Sequence, residues 1–123
     1  MKFKGDPNYI STGSWFDGTD YSLISIGEGA TISSEVSFLT HDWSLHTVGR
    51  ALEYQTSEVL GSIRAIVVED YCFIGRGATL MPGVVLRRGS IVGAGAVVRG
   101  EFEEYSLIAG TRLPQSAVAT ITS

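Results

Sequence analysis

Branched or bulky apolar residues recur every six positions in the second half of the chain. The series consists of Val68, Ile74, Leu80, Leu86, Val92 and Val98. A period of six differs from the 3.6-residue period of an amphipathic helix and from the simple alternation of a strand. It indicates a structural repeat whose units stack on one another. Each unit is predicted to be a short strand followed by a corner.

The other positions of the six-residue unit follow a rule as well. Small or modest side chains occupy the fifth position, at Cys72, Ala78, Val84, Ser90 and Ala96. Glycine occupies the fourth position at Gly77, Gly83, Gly89 and Gly95. Residues four apart on a flat strand point to the same side, so the first and fifth positions are predicted to face a narrow core. Glycine fits a corner that needs a positive φ angle or leaves no room for a Cβ.

The same frame occurs earlier, with units beginning at Ile26, Ile32 and Phe38, and it returns in phase at Val68. Residues 43–65 are therefore predicted to leave the coil at one corner and to rejoin it later. Such an excursion from a rigid scaffold is a good place for function. The chain is predicted to be a single domain over residues 1–123, with repeats at about 20–42 and 66–102, a loop at about 43–65 and a C-terminal tail at about 103–123.

Three segments carry a resemblance to a known family. IGEGAT from Ile26, IGRGAT from Ile74 and VGAGAV from Val92 resemble the repeats of the hexapeptide-repeat acyltransferases, and the likeness covers about residues 20–114. The resemblance implies an all-β fold, a left-handed parallel β-helix with three units per turn, and assembly as a homotrimer. General rules favour right-handed crossovers, so the left hand is expected from the family alone.

Composition and charge narrow the possible functions. The 123 residues fit one domain, and no apolar stretch approaches the roughly 20 residues of a membrane helix. The start of the chain lacks a secretory signal, so the cytoplasm is the expected compartment. A net charge of −4 without a dense Lys/Arg run argues against nucleic-acid binding. The single cysteine, Cys72, is expected to be a small buried hydrophobe and not a nucleophile.

The only two histidines, His41 and His46, lie where the repeat gives way to the loop. Thr40-His41-Asp42 resembles the run that carries the catalytic histidine of the family, which implies that His41 is the general base. A base is needed because a hydroxyl or amine attacks a thioester poorly until its proton is removed. His46 either lines the acceptor pocket or is a solvated loop residue.

A catalytic imidazole needs a partner on its second nitrogen, and a carboxylate is the usual choice. The resemblance implies a carboxylate about one coil upstream, which is Asp20, with Asp17 as the alternative. The structural interpretation of the same residues is a turn at Asp17-Gly18 and a strand cap at Asp20. Asp42 is a poorer candidate for this role because it adjoins His41 in sequence.

The family further implies acetyl-CoA as the acyl donor, lying in the groove between subunits, with no metal. Its expected contacts are Gly75, Gly93, Ala94, Gly95 and Arg112. The chain departs from the family in the segment around Arg112, where an Asn-Pro pair is replaced, and at Phe73, where tryptophan is usual. Both departures bear on how the donor is held.

The acceptor is expected to be a small molecule, a sugar or a nucleotide- or lipid-linked sugar, as in the synthesis of surface polysaccharides. Its predicted contacts are Asp42, Trp43, His46 and Tyr54. One alternative is a β-helix scaffold that binds a partner without catalysis. Another is a γ-carbonic-anhydrase-like metal site, for which that class uses three histidines whereas this chain has two.

Overall fold

The computed structural model of the chain describes residues 1–18, 21–51 and 62–110. In these ranges the backbone winds as a parallel β-helix, and its strands form three parallel sheets that are the three faces of a coil. The first face consists, in spatial order, of β1 (Lys2–Lys4), β4 (Ile24–Gly27), β9 (Ile66–Val68), β12 (Val85–Leu86) and β15 (Glu101–Phe102). The second consists of β2 (Tyr9–Ile10), β5 (Thr31–Ile32), β10 (Phe73–Ile74), β13 (Ile91–Val92) and β16 (Leu107–Ile108). The third consists of β3 (Trp15–Phe16), β6 (Ser37–Phe38), β11 (Thr79–Leu80) and β14 (Val97–Val98).

The interior of the coil is filled as the six-residue period predicted. All the first-position residues of the series from Val68 to Val98 are buried, and so are the fifth-position residues from Cys72 to Ala96. Near the N-terminal end the rings of Phe16 and Phe38 stack at 4.7 Å between centroids. The prediction that both positions face a narrow core is confirmed.

Changes in coil length concentrate at one corner, which leads from the third face to the first face of the next coil and is called here the insertion corner. A regular step from face to face is six residues, as from Ile74 to Leu80. At the insertion corner the step from Phe16 on β3 to Ile26 on β4 is ten residues, and the step from Phe38 on β6 to Val68 on β9 is thirty. The residues predicted to leave the coil therefore do so here.

The excursion contains secondary structure that the sequence did not predict. It begins with β7 (His41–Asp42), which pairs antiparallel with β8 (Ser62–Ile63). Between the two strands lies α1 (Ser44–Ala51), where the prediction had only a loop. The carboxylate of Asp42 accepts a hydrogen bond from the backbone N–H of Ser44 at 2.9 Å, which satisfies one of the donors that a helix start leaves free. No helix in the described ranges is long and apolar enough to span a membrane.

The coil also extends beyond the predicted repeats at both ends. It begins at β1, well before residue 20, and a short 3₁₀ helix (Tyr21–Leu23) leads into β4. At the other end β16 continues the second face, although its residues were assigned to the tail. The step from Val98 to Phe102 is only four residues, so this shortened unit takes the later residues out of the six-residue frame. Residues 111–123 lie outside the described part of the chain.

Gly75 and Gly77 make different demands on the backbone. We expect Gly75→Ala to destabilise the protein by about 3 kcal/mol, because a Cβ there would lie 2.6 Å from the backbone nitrogen of Ala94 in the next coil. Gly77→Ala is the matched control: it has a φ of +72° but nothing within 4 Å, so only the backbone strain of about 1 kcal/mol is expected. Urea unfolding of both variants measures the difference, and equal losses would contradict the tight stacking of coils at Gly75.

Candidate active site

His41 lies at the point where the chain leaves the coil. It occupies the fourth position of its unit, where other units turn with a positive φ, as at Gly29 and Gly77. His41 has no positive φ and instead begins β7, opposite Ile63 of β8. The corner is therefore opened out at His41, and its side chain, 20% exposed, is accessible at the mouth of the excursion.

Asp17 is the carboxylate that contacts His41. It directly follows β3, and its backbone N–H donates to the carbonyl of Phe38 at 2.9 Å, which places it one coil before the histidine. Its Oδ2 lies 3.2 Å from Nδ1 of His41. The same oxygen accepts the backbone N–H groups of Thr40 at 3.2 Å and His41 at 3.0 Å. One carboxylate oxygen thus holds both the ring and the start of the excursion.

The hydrogen bonds favour one tautomer of the His41 imidazole. An ionised carboxylate can only accept hydrogen bonds, so the contact with Asp17 is a hydrogen bond only when Nδ1 carries the proton. The Thr40 hydroxyl lies 3.0 Å from the same nitrogen. Nε2 then keeps its lone pair and is the nitrogen able to accept a proton from another molecule.

Two residues flank the imidazole ring. Gly18 lies against it, because a Cβ at that position would be 2.7 Å from Cε1 of His41, and the φ of Gly18 is +78°. The Trp43 indole stacks on it, with centroids 5.7 Å apart and an angle of 29° between the planes. The ring is thereby confined between a backbone without a side chain and a half-exposed aromatic surface.

Thr40 and Arg64 join the two ends of the excursion. Thr40 is fully buried, and its carbonyl accepts the backbone N–H of Arg64 at 3.0 Å. The guanidinium of Arg64 lies over Gly83 at the insertion corner of the next coil, since a Cβ at Gly83 would be 2.8 Å from its Cζ. The two ends of the excursion are therefore joined to each other, and the returning end packs against the next coil.

The residues predicted to bind the acceptor lie in different places relative to His41. Trp43 is next to the imidazole, as described. A hydrogen bond from the backbone N–H of Ser44 and, as a smaller cause, one from its hydroxyl hold the pKa of the Asp42 carboxyl below its ordinary value. This carboxylate is therefore engaged at the start of α1. His46 is half-buried in the first turns of α1. Tyr54 lies outside the described residues, as does Asp20, the carboxylate first predicted to orient His41.

The predicted donor contacts divide into packed and open positions. Gly75 is buried under the next coil. A Cβ added at Gly93 would lie 3.3 Å from the carbonyl oxygen of Ile108. Ala94 and Gly95 are exposed at the corner between the second and third faces. Arg112 lies outside the described residues.

The open corner has a shape that fits an extended ligand. Gly77 and Gly95 occupy equivalent places in successive coils, and a Cβ at either would have nothing within 4 Å. The two corners are joined by a hydrogen bond from the N–H of Gly95 to the carbonyl of Arg76 at 2.8 Å. The open backbone at these two glycines, beside the exposed Arg76–Glu35 ion pair of the same corner, suits close approach of a thin chain such as the pantetheine arm of coenzyme A.

Cys72 takes no part in the site. It is 1% exposed, and its Sγ lies 3.3 Å from the carbonyl oxygen of Arg87. Burial raises the pKa of its thiol, which keeps it protonated and unreactive. The structure confirms its buried position.

Three residues of the site were not assigned a role from the sequence. The backbone of Gly18, the hydroxyl of Thr40 and the main chain of Arg64 all contribute to holding His41 or its neighbours. A signal existed for Gly18, since the Asp-Gly dipeptide was recognised as a turn. No signal existed for Arg64, because its place depends on how the excursion returns to the coil.

Gly18→Ala tests whether this glycine positions the imidazole. The added Cβ and the positive φ are expected to push the ring away from Asp17 and to cost about 1–2 kcal/mol of stability. The ¹⁵N chemical shifts of the imidazole nitrogens report the displacement, with His46 as an internal reference. Gly13→Ala is the control, because its nearest contact would be at 3.4 Å and its φ is not positive. Unchanged His41 resonances in Gly18→Ala would contradict the role of Gly18.

Comparisons with known proteins agree with the fold. A family model described as bacterial transferase hexapeptide (six repeats) matches residues 65–100. A hexapeptide-repeat-containing acetyltransferase of Vibrio cholerae O1 biovar eltor, crystallised with acetyl coenzyme A, is similar with a TM-score of 0.71 and 29% identity, over 87% of this chain and 54% of that one.

Two curated relatives are similar in sequence. The mitochondrial gamma carbonic anhydrase 1 of Arabidopsis thaliana is 36% identical over 96 residues, which are 78% of this chain and 31% of that protein. The putative lipopolysaccharide biosynthesis O-acetyl transferase WbbJ of Escherichia coli strain K12 is 39% identical over 46 residues, 37% of this chain and 24% of that protein. The chain thus spans about a third or less of the length of these curated relatives. The repeat, the fold and these similarities together show that residues 65–100 carry the bacterial transferase hexapeptide repeat and that the chain has the left-handed parallel β-helix fold of the hexapeptide-repeat acetyltransferase to which it is similar.

Proposed function

We propose that the protein transfers an acetyl group from acetyl-CoA to a hydroxyl or amine of a small acceptor, with His41 as general base and Asp17 as the residue that orients it. The observation that carries the proposal is the 3.2 Å contact between Asp17 Oδ2 and His41 Nδ1 at the mouth of the excursion. A base oriented by a carboxylate is what activation of a weak nucleophile requires. The similarity to an acetyltransferase crystallised with acetyl-CoA supports the same reaction class.

His41 has the chemical task of moving one proton. Its Nε2 accepts the proton of the acceptor hydroxyl or amine as the acceptor forms a bond to the acetyl carbon. The same proton is then given to the sulfur as the carbon–sulfur bond breaks, so the products are the acetylated acceptor and the free thiol of coenzyme A. The imidazole begins and ends the cycle neutral.

Asp17 supports this transfer without touching the acceptor. While His41 carries the extra proton, the ring is positively charged and Nδ1 still donates to the Asp17 carboxylate. With 18% of its side chain exposed, the carboxylate is only partly screened by water, so its attraction for the charged ring is stronger than at the open surface. The two backbone N–H groups on Oδ2 fix its position before the reaction begins.

The donor supplies an activated acetyl group as a thioester. The open corner at Ala94 and Gly95 supports donor binding along the coil axis, as proposed for the groove between subunits. The homotrimer expected from the sequence remains part of the proposal. It is supported by a row of outward positions on the second face that Thr31 interrupts between Tyr9 and Phe73. The apolar residues of this row are 40–56% exposed: Tyr9, Phe73, Ile91 and Leu107.

The acceptor is proposed to be a sugar or a nucleotide- or lipid-linked sugar. The half-exposed indole of Trp43 beside the base supports this choice, because aromatic rings stack on the apolar faces of sugar rings. The relation to a putative O-acetyl transferase of lipopolysaccharide biosynthesis points the same way. The cytoplasmic location remains a prediction from the sequence.

A metal-dependent hydration reaction is the second candidate, favoured by the 36% identity to a gamma carbonic anhydrase. That class uses three histidine ligands, and the whole chain contains two. Among the described residues no group of three or more His, Cys, Asp or Glu side chains is placed to hold a metal ion. Acetyl transfer needs only the pair that the site already contains, and it is therefore the better supported function.

His41→Ala tests the base, and His46→Ala is its matched control. Loss of the one group that the described residues place to take the proton is expected to lower kcat/KM about a hundredfold to ten-thousandfold. His46→Ala is expected to keep kcat within a few-fold of the parent protein, and any loss of the predicted acceptor contact would appear in KM. Thiol release from acetyl-CoA over a panel of sugar acceptors measures both, and circular dichroism checks that both variants fold.

Two results would contradict this assignment. One is turnover by His41→Ala within a few-fold of the parent. The other is a parent protein that releases no thiol with any acceptor, but hydrates carbon dioxide when zinc is added. A parent protein that does neither, and fails to bind acetyl-CoA, would favour the scaffold alternative.

Asp17→Asn and Asp20→Asn decide which carboxylate orients the base. In Asp17→Asn the amide oxygen of the new side chain can still accept the backbone N–H groups, but it stabilises the charged imidazole less. We expect Asp17→Asn to lower kcat on the order of tenfold to a hundredfold, less than the loss of His41, with little change in KM. Asp20→Asn and Asp6→Asn, an exposed carboxylate of the same coil, are expected to have small effects. A larger loss in Asp20→Asn would reassign the role to Asp20.

A further inference from the structure

An aromatic cavity lies at the N-terminal end of the coil, separate from the contacts of His41. It has a volume of about 400 Å³ and is lined, among the described residues, by Met1, Ser14, Trp15, Phe16 and Tyr21. We call it the end cavity. Its volume is within the range of sites that bind small molecules. None of these five residues has a charged side chain.

The lining residues divide into an inner and an outer set. Met1 and Phe16 pack against the core of the coil, and the Phe16 ring is held by its stack on Phe38. Trp15 and Tyr21 are 52% and 48% exposed. Two large aromatic side chains half exposed around one concave site form an apolar surface that usually marks a binding site. The cavity therefore has a firm base and aromatic sides.

The end cavity adjoins the proposed catalytic pair through the chain itself. Phe16 directly precedes Asp17, and Tyr21 leads the 3₁₀ helix that follows the same corner. Gly18, which lies against the His41 ring, belongs to the same short stretch. Two residues of extended chain span about 7 Å, so Trp15 and Asp17 are close neighbours on the scale of a two-ring ligand.

The lining indicates the chemistry of the ligand. Aromatic side chains without charged neighbours favour a flat, uncharged ring, which they contact by stacking or by edge-to-face packing. A cationic group would lose its hydration there without gaining an anionic side chain as partner among the described lining residues, and it would meet the α-ammonium group of Met1. The hydroxyl groups of Ser14 and Tyr21 add limited hydrogen bonding.

We propose that the end cavity binds an uncharged aromatic ring carried by the acceptor, while the hydroxyl or amine of the same molecule reaches His41. Only the delivery of the hydroxyl or amine to His41 rests on the proposed function. Binding of the ring to the cavity is a property of Trp15 and its neighbours, and it can be measured without acetyl transfer. The acceptor class is then a glycoside with an aromatic aglycone, rather than a free sugar.

The experiment compares phenyl β-D-glucopyranoside with methyl β-D-glucopyranoside on the full chain labelled with ¹⁵N. The chain has two tryptophans, so the indole N–H signals of Trp15 and Trp43 separate the two places. We expect the phenyl glycoside to shift the Trp15 signal saturably, and the methyl glycoside to leave it unchanged. A Trp15 signal that does not respond to the phenyl glycoside would overturn the inference.

Trp15→Ala and Tyr105→Ala provide the matched variants. Both residues have large, exposed aromatic side chains, but Tyr105 lies near the other end of the described coil and does not line the end cavity. We expect Trp15→Ala to weaken binding of the phenyl glycoside about tenfold, as loss of an aromatic contact allows. Trp15→Phe should recover most of the affinity, and Tyr105→Ala should match the parent. Equal affinity in Trp15→Ala and the parent would also overturn the inference.

Thiol release from acetyl-CoA with the two glycosides distinguishes the two proposals. Binding at Trp15 without any transfer would leave the cavity in place and count against the acetyltransferase. Transfer to both glycosides with equal KM, and with no dependence on Trp15, would retain the acetyltransferase and overturn the inference. A second copy of the chain could also fill the cavity, and dilution of the protein without ligand tests this, with light scattering at the same concentrations to follow its oligomeric state. If dilution alone moves the Trp15 signal, the cavity is a contact between copies of the chain, and the inference is wrong.

Discussion

The stacking of each coil on the next by parallel backbone hydrogen bonds is the constraint on which the site depends. It fixes the register of every face, so residues far apart in sequence meet at a defined distance. Asp17 and His41 are an example: the N–H of Asp17 is bonded to the carbonyl of Phe38, and its carboxylate is thereby carried to within 3.2 Å of the imidazole. Asp17 and His41 do not need a contact of their own to come together, because the coils already hold the two backbones in place.

The same stacking explains why variation in length is confined to one corner. Two of the three corners keep an almost constant step of six or seven residues. The insertion corner instead takes a ten-residue step after Phe16, a thirty-residue step after Phe38, a six-residue step after Leu80 and a four-residue step after Val98. The faces remain in register throughout. A fold that is rigid on two corners and tolerant on the third can change its chemistry at the third without losing its core.

The hydrophobic period predicted the coil well, because inward positions repeat wherever the unit length is constant. It failed where the length changes: β16 follows a shortened unit, and α1 depends on a local hydrogen bond from Ser44 to Asp42 that no periodicity reveals. For the site, the place of His41 followed from a family resemblance and from the break in the repeat. Which carboxylate meets it depends on the path of the corner after Phe16, and counting residues per coil does not determine that path.

Asp17 also shows why structure and chemistry are difficult to separate in this site. Its Oδ2 accepts two backbone N–H groups that begin the excursion and one ring nitrogen that would serve catalysis. Loss of the carboxylate would leave the N–H of Thr40, a fully buried residue, without its acceptor, at a cost of about 1–3 kcal/mol. An asparagine retains an acceptor for those amides and changes mainly the interaction with the charged ring. A rate lost on removing the carboxylate therefore reports on catalysis only when the start of β7 is shown to be intact.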